Sequence, residues 1–405
     1  MNKVELLAPC GSFSKLKTAL YFGADAFYVG GKNFSLRSYS ENFSLEELIE
    51  ALKLVHDNGK KLYVTLNIFA KNADFSAIKE YVSVLDKIGV DAVIVSDPGV
   101  FDLVRKTAKH LAIHVSTQAN TTNKYSAAFW ADLGAKRIIT ARELSLNEIK
   151  EIRDYLPDDV EIEAFCHGAM CISYSGRCLL SDYFTGRSSN RGECVQACRW
   201  NYRLQEYNSD GQFYDISEDT HGTYILNSKD LNMISHLDEM IDSGVTSFKI
   251  EGRMKSEYYL ATVVNAYRRA IDAYYRLGAD YKNDPLYFKE LLKTNHRAFT
   301  TAYTLSDNDQ TVTYDDSQTS GEKTFTAVVL DYDESSGKAL IEMRNRFSLG
   351  DKLEVLTPNE YLNHVITVED LTDLDGNKVT DAKIVQQKLL LKTDIKLSKN
   401  DILRK

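Results

Sequence analysis

Residues 61–96 read KLYVTLNIFAKNADFSAIKEYVSVLDKIGVDAVIVS. Apolar side chains at Leu62, Val64, Leu66 and Ile68 alternate with polar ones, the period of a strand with two unlike faces. From Ser76 the spacing changes to that of an amphipathic helix, which Gly89 can end by taking a left-handed C-cap. Ala92–Ser96 then reads as a second strand. A strand, a helix and a strand in so few residues make a parallel crossover unit.

The same rhythm runs outward in both directions. Strands are expected at Val4–Ala8, Ala26–Gly30, Lys61–Phe69, Ala92–Ser96, Ala112–Gln118, Arg137–Thr140, Val160–Cys166 and Ser247–Glu251. Amphipathic stretches separate them, several closed by Gly23, Gly59, Gly134 or Gly244. Eight such units in about 250 residues predict an α/β fold, a (β/α)8 TIM-like barrel over residues 1–280. A doubly wound open sheet is the alternative, but no G-x-G-x-x-G follows the first strand. Residues 281–323 read as a helical and linker segment. From residue 324 to 405 short alternating strands predict a small all-β barrel.

Strand periodicity also assigns the barrel interior. It turns Thr65 and Asn67, His114, Ser116 and Gln118, Glu163, Lys249 and Glu251 inward, with Arg142 and His167 at strand tips. Buried charges and amides are costly unless paired or used. Their gathering toward the C-terminal strand ends, where barrel enzymes work, predicts a site. Glu163 and Lys249, with Glu251, are the acid–base candidates, and an internal salt bridge between Lys249 and an acidic neighbour is the structural alternative. Asn67, Ser116, Gln118, Arg142, His167, Arg253 and Lys255 are expected to hold substrate, the last two at a helix start suited to anions.

Cys171, Cys178, Cys194 and Cys198 follow the pattern C-x6-C-x15-C-x3-C, four of the six cysteines of the chain. They fall within 168–226, an insertion after the seventh strand and before an expected helix over 227–244. Such a set holds a metal or forms two disulfides. The opening MNKVELLAPCGS lacks a signal-type apolar core, and no apolar run approaches the ~20 residues of a membrane span. A cytoplasmic chain with reduced thiols is therefore expected, and with it a metal. Cys10 and Cys166 read as small buried residues.

A net charge of −9 argues against a general nucleic-acid coat but leaves room for a local basic rim. Arg187, Arg191, Arg199 and Arg203 surround the cysteines as such a rim or as solvated, salt-bridged side chains. Trp200 and Tyr202 read as hairpin core, with base stacking as the alternative. Peptidase chemistry finds little support. Cys166 and His167 are adjacent on a strand and so face apart, His114 and Ser116 lack a nucleophile-elbow context, and no H-E-x-x-H occurs.

Several motifs together resemble one family. EAFCHGAMCISYSGRCLLS (163–181), NRGECVQACRW (190–200), ELLAPCGS (5–12), HVSTQAN (114–120), NSKDL (227–231) and FKIEGRMKS (248–256) are similar to the signatures of the collagenase-like, unassigned peptidase family. That family also holds tRNA-hydroxylation and ubiquinone-hydroxylation proteins, and the chain looks most like its tRNA branch. The resemblance implies a [4Fe–4S] cluster on the four cysteines, with zinc as the alternative. It further implies tRNA as partner, prephenate as co-metabolite, and oxygen-independent conversion of wobble uridine to 5-hydroxyuridine. Some relatives carry a cysteine where this chain has Asn232, so Cys198 is the expected fourth ligand. A peptidase, or a non-catalytic protein braced by zinc, is the alternative function.

Overall fold

The computed structural model describes residues 3–31, 42–171, 173–175, 177–200, 228–305 and 321–405, with backbone strands at 218–219 and 222–223. Tyr202, Arg203 and residues 306–320 of the expected helical and linker segment lie outside the described residues.

Eight parallel strands close a barrel: β1 (Glu5–Pro9), β2 (Ala26–Gly30), β3 (Lys61–Leu66), β4 (Ala92–Val95), β5 (Ala112–Val115), β6 (Arg137–Ile139), β7 (Glu161–Ala169) and β8 (Ser247–Ile250). Closure runs through β8, which pairs in parallel with both β1 and β7. The outer helices are α1 (Phe13–Tyr21), α2 (Leu45–Asp57), α3 (Phe75–Ile88), α4 (Pro98–Thr107), α5 (Lys124–Asp132) and α6 (Leu146–Tyr155). In the inserted segment lies α7 (Leu180–Thr185), followed by α8 (Leu237–Asp242), α9 (Glu257–Leu277) and α10 (Pro285–Leu292). Local chemistry sets the helix starts. Ser12, Ser44, Asp97, Asn123, Ser145 and Ser256 each accept a first-turn amide, supplying a partner that an N-terminal N–H otherwise lacks. Gly89 ends α3 at φ 84°, the left-handed cap expected of it.

Strand alternation divides the apolar residues into two layers. Leu62, Val64, Ile113, Val115, Phe248 and Ile250 pack outward against the helices. Leu7, Ala26, Tyr28, Tyr63, Ala92, Ile94 and Ile139 fill the barrel itself. Two features depart from expectation. β7 runs on to Ala169, and its extension pairs antiparallel with a short strand, Asp230–Asn232. The predicted helix over 227–244 is thereby shortened to α8, because the exposed edge of β7 takes the chain as a strand first.

The C-terminal part is a seven-stranded antiparallel sheet: β9 (Phe325–Asp333), β10 (Lys338–Met343), β11 (Lys352–Leu356), β12 (Val365–Thr367), β13 (Leu371–Thr372), β14 (Lys388–Lys392) and β15 (Ile402–Arg404). It has its own apolar core. Arg404, wholly buried, joins it to the barrel helices through Glu290 (2.6 Å) and the sheet's own Glu354 (2.7 Å). No helix among the described residues is long and apolar enough to cross a membrane.

Candidate functional site

A cavity of about 120 Å³ opens at the C-terminal mouth of the barrel. Its walls combine the two groups of residues that the sequence singles out. From the strand ends come Asn67, Ser116, Gln118, Arg142, Lys249, Glu251 and Arg253; from the inserted segment come Cys171, Cys178 and Cys194. Their convergence follows from the barrel, since every βα connection returns to the same end.

The floor of the cavity is a chain of buried charges. Arg137, beneath it, is 2.6 Å from Glu5, 2.5 Å from Glu161 and 2.9 Å from Glu163. Lys249 Nζ continues the chain, 2.6 Å from the other oxygen of Glu163 and 4.5 Å above the ring of Tyr28. Burial opposes ionisation of Glu5, but the Arg137 charge together with hydrogen bonds from Arg137, Tyr63 and Ser247 outweighs it and holds the carboxyl below the usual range. The same array acts on His114. Burial, then the positive charges of Arg137 and Lys249, hold its imidazole neutral well below the ordinary value.

Glu163 thus has a different place from the one expected. It is fully buried between Arg137 and Lys249 and does not line the cavity, so it orients Lys249 instead of meeting substrate. Lys249 and Glu251 do reach the cavity. The Tyr28 hydroxyl donates to the Ile250 carbonyl at 2.9 Å and lies 3.2 Å from Glu251 Oε2.

His167 also departs from expectation. A register shift between Lys249 and Ile250 sets Ile250 opposite His167 in β7. The strict alternation that would aim His167 at the mouth is lost, and the ring packs among Tyr259, Tyr267 and Phe299. Burial drives its pKa down to about 3. Lys255 stands away from the cavity as well, 5.0 Å over the Tyr259 ring, with burial lowering its pKa. Arg253 remains at the mouth, donating to Asn42 at 2.6 Å. Arg142 donates to the Ala169 carbonyl at 2.9 Å and to the Ser175 hydroxyl, which ties the β6 tip to the cysteine segment.

Close backbone approach fixes how that segment leaves β7. Gly168 has φ 112°, and a Cβ there would stand 2.4 Å from the Glu251 carbonyl oxygen. Further along, Arg191 clamps Asp74 with two hydrogen bonds of 2.9 and 3.1 Å, and donates to the Phe69 carbonyl at 2.9 Å. The Phe69 amide in turn donates to Asn190 O at 3.1 Å. The cysteine loop is so fastened across the mouth to the β3–α3 connection. Arg191 therefore serves as a clasp, not as part of a free cationic rim.

All six cysteines are free thiols. Amides of Leu180 and Gln196 donate to the sulfurs of Cys178 and Cys194, each at 3.4 Å. Burial raises the Cys198 thiol above its usual pKa; Arg199 opposes this, and Cys171, Cys194 and Cys178 add to it, so the other three thiols lie within electrostatic reach of Cys198. Among the described residues, no group of three or more Cys, His, Asp or Glu is arranged to hold a metal ion. The donor chemistry suits a thiolate-bound metal all the same: four soft ligands on one segment, two of which already accept amide protons. Asn232 lies elsewhere, its Oδ1 accepting the Ile234 amide at 3.1 Å.

The remaining nucleophile candidates are quiet. Cys10 and Cys166 are buried, and burial pushes both thiols up, away from the reactive thiolate. The Ser116 hydroxyl donates to Gln118 Oε1 at 3.2 Å, and His114 packs on the Tyr63 ring at 4.7 Å. Trp200, expected as core, is 40% exposed.

Arg137 and Glu5 escaped the sequence reading. Their signal was the phase of β6. With Ile138 facing outward, Arg137 and Ile139 must face in, opposite the inward acids of β1 and β7.

Comparison with known proteins agrees with this architecture. The model for Peptidase family U32 matches residues 11–314, and that for the Peptidase family U32 C-terminal domain matches 322–404. The chain is 40% identical to tRNA hydroxylation protein P1 of Bacillus subtilis (strain 168) over 415 residues, covering 100% of this chain and 95% of that protein. It is 37% identical to tRNA hydroxylation protein P of Escherichia coli (strain K12), covering 93% and 90%. A protein named collagenase from Porphyromonas gingivalis (strain ATCC BAA-308 / W83) is 33% identical, covering 68% and 67%. On two matched models that together span almost its whole length, the chain belongs to peptidase family U32.

Proposed function

We propose that this chain is an RNA-modifying enzyme that hydroxylates tRNA, forming 5-hydroxyuridine from the wobble uridine without molecular oxygen. One observation carries the reading: a single cavity is lined by the polar ends of the barrel strands and by three of the clustered cysteines. The names of the Bacillus subtilis and Escherichia coli relatives support the substrate class.

In this reading Cys171, Cys178, Cys194 and Cys198 hold a [4Fe–4S] cluster. When bound, it supplies redox-active iron at the mouth of the barrel. The chain's own residues do the rest. Arg142 and Arg253 bind carboxylate or phosphate, prephenate being the small acid proposed. Lys249, held by Glu163, donates a hydrogen bond or a proton to a developing oxyanion. Glu251 accepts a proton, with the Tyr28 hydroxyl near one of its oxygens. Asn67, Ser116 and Gln118 offer amide and hydroxyl groups to a base edge.

The test is nucleoside mass spectrometry of tRNA from a strain lacking the gene. Loss of 5-hydroxyuridine-derived nucleosides is expected, restored by the wild-type gene and not by a Lys249→Ala copy. Unchanged nucleosides in the deletion strain would overturn the function.

A further inference from the structure

Three aromatic rings on the cysteine segment are each at least two-fifths exposed, although rings of this size are mostly covered in folded chains. Tyr183 is 82% exposed and Phe184 46%, with Trp200 beside them. They form one cluster. The Tyr183 and Phe184 centroids are 5.2 Å apart edge to face, and those of Phe184 and Trp200 are 6.3 Å apart.

Their presentation follows from the local fold. In α7, Ser181 is turned toward the site, its hydroxyl 3.7 Å from Cys194 Sγ and accepting the Val195 amide at 3.1 Å. Tyr183 comes two residues later, roughly 200° around the helix, and so points away from it; Phe184, three residues later, is back within about 60° of Ser181 and is the more covered of the two rings. Trp200 closes the turn after Cys198, its amide donating to Ala197 O at 3.1 Å. The rings are thus tied to the same backbone that carries two of the cysteines. Arg177 and Arg199 lie in the same stretch of chain, the former exposed and the latter partly so.

We infer that Tyr183, Phe184 and Trp200 form a stacking platform for unpaired nucleotides of the RNA, with Arg177 and Arg199 meeting its phosphates. Flat rings interleaved with arginines are what single-stranded nucleic acid requires, because every base has a π-face and every link a negative charge. The two arginines in this stretch favour an anionic nucleic acid over a protein partner, whose contact face would be depleted of charge at its core. The inference rests on the RNA reading above and adds the place where the loop is gripped.

The chain has two tryptophans, and Trp130 is only 8% exposed, so Trp200 can report directly. In a Trp130→Phe background of the full chain, a stem–loop RNA with a seven-base loop should quench the Trp200 emission, and a duplex of the same length should not. Trp200→Ala and Phe184→Ala should each lose about 5- to 100-fold in affinity for the stem–loop, the range one stacked base contributes, while Trp200→Phe keeps most of it. If Trp130→Phe does not fold, 2-aminopurine in the loop gives the reciprocal signal on the unaltered chain. Stem–loop binding with no quench and unchanged affinity in both alanine variants would overturn the platform and leave the RNA reading standing. No binding of either RNA by the wild-type chain would remove the RNA reading and the platform with it. Self-association abolished by Trp200→Ala would mark the rings as a protein interface and likewise overturn the proposal.

Discussion

Lys249 Nζ lies 2.6 Å from Glu163 Oε1, while the other oxygen of that carboxylate is 2.9 Å from Arg137. A single buried anion therefore bridges two cations in the barrel. Removing its charge breaks the ion pair that holds Lys249, although Arg137 keeps Glu5 and Glu161, and a broken buried pair costs about 3–5 kcal/mol. Glu163→Gln is expected to lower the urea midpoint by that amount of stability. Glu251→Gln, at the cavity wall, should leave the midpoint within about 0.5 kcal/mol, as substitutions away from the core usually do, and should abolish nucleoside formation. Equal midpoints for the two variants would show that Glu163 is no structural anchor.

The cysteines make a second, separable prediction. Anaerobically purified chain should contain iron and sulfide, and Cys194→Ser should lose both. Cys198→Ser should do the same if it is the fourth ligand, whereas Cys10→Ala should retain the full complement, its thiol being buried and held protonated. Because the Cys198 thiol sits above its usual pKa, metal binding must displace protons, and loading should weaken as pH falls. Iron and sulfide retained in Cys198→Ser would assign the fourth position elsewhere.

The barrel was legible because its signal is local. Alternation in 61–69, a glycine cap at Gly89 and the next strand at Ala92 all lie within one crossover unit. The inward phase of β3, β5 and β8 leads to Asn67, Ser116, Lys249 and Glu251, which line the cavity. What failed was phase at irregular points. The register shift at Lys249/Ile250 redirects His167, and no residue type announces it. Arg137 opens a strand of only three residues next to Lys136, where it resembles a surface cation. The clasp of Arg191 on Asp74 joins residues 117 positions apart, beyond the reach of any periodicity.

His167 provides a pH test. Burial lowers its pKa to about 3, against an unfolded value near 6.5. Between those values the unfolded chain binds a proton that the folded chain refuses. Stability from this group is therefore complete above about pH 6.5 and falls with pH by at most ~1.4 kcal/mol per unit. His167→Phe suits the surrounding Tyr259, Tyr267 and Phe299 and should flatten the urea midpoint between pH 6.5 and 4.5. Some slope should persist, since His114 is shifted in the same direction. A profile identical to wild type would remove His167 as its source.

The Asp74–Arg191 clasp should hold until pH falls below the ordinary aspartate range. Hydrogen bonds from Arg191, then from the Lys71 amide, hold the Asp74 carboxyl below the usual range. The contribution is present above the ordinary aspartate pKa of about 3.9 and is lost only as pH falls through the lower folded value. At neutral pH the clasp is intact, and Asp74→Asn should loosen it without unfolding the barrel, whose core lies elsewhere. Proteolysis within residues 171–200 is expected to accelerate at least severalfold in Asp74→Asn, with little change in the melting temperature. Arg191→Lys should behave in the same way, because an ammonium cannot reproduce the two-pronged contact. Unchanged cleavage in both variants would show that the cysteine loop is held over the mouth by other contacts.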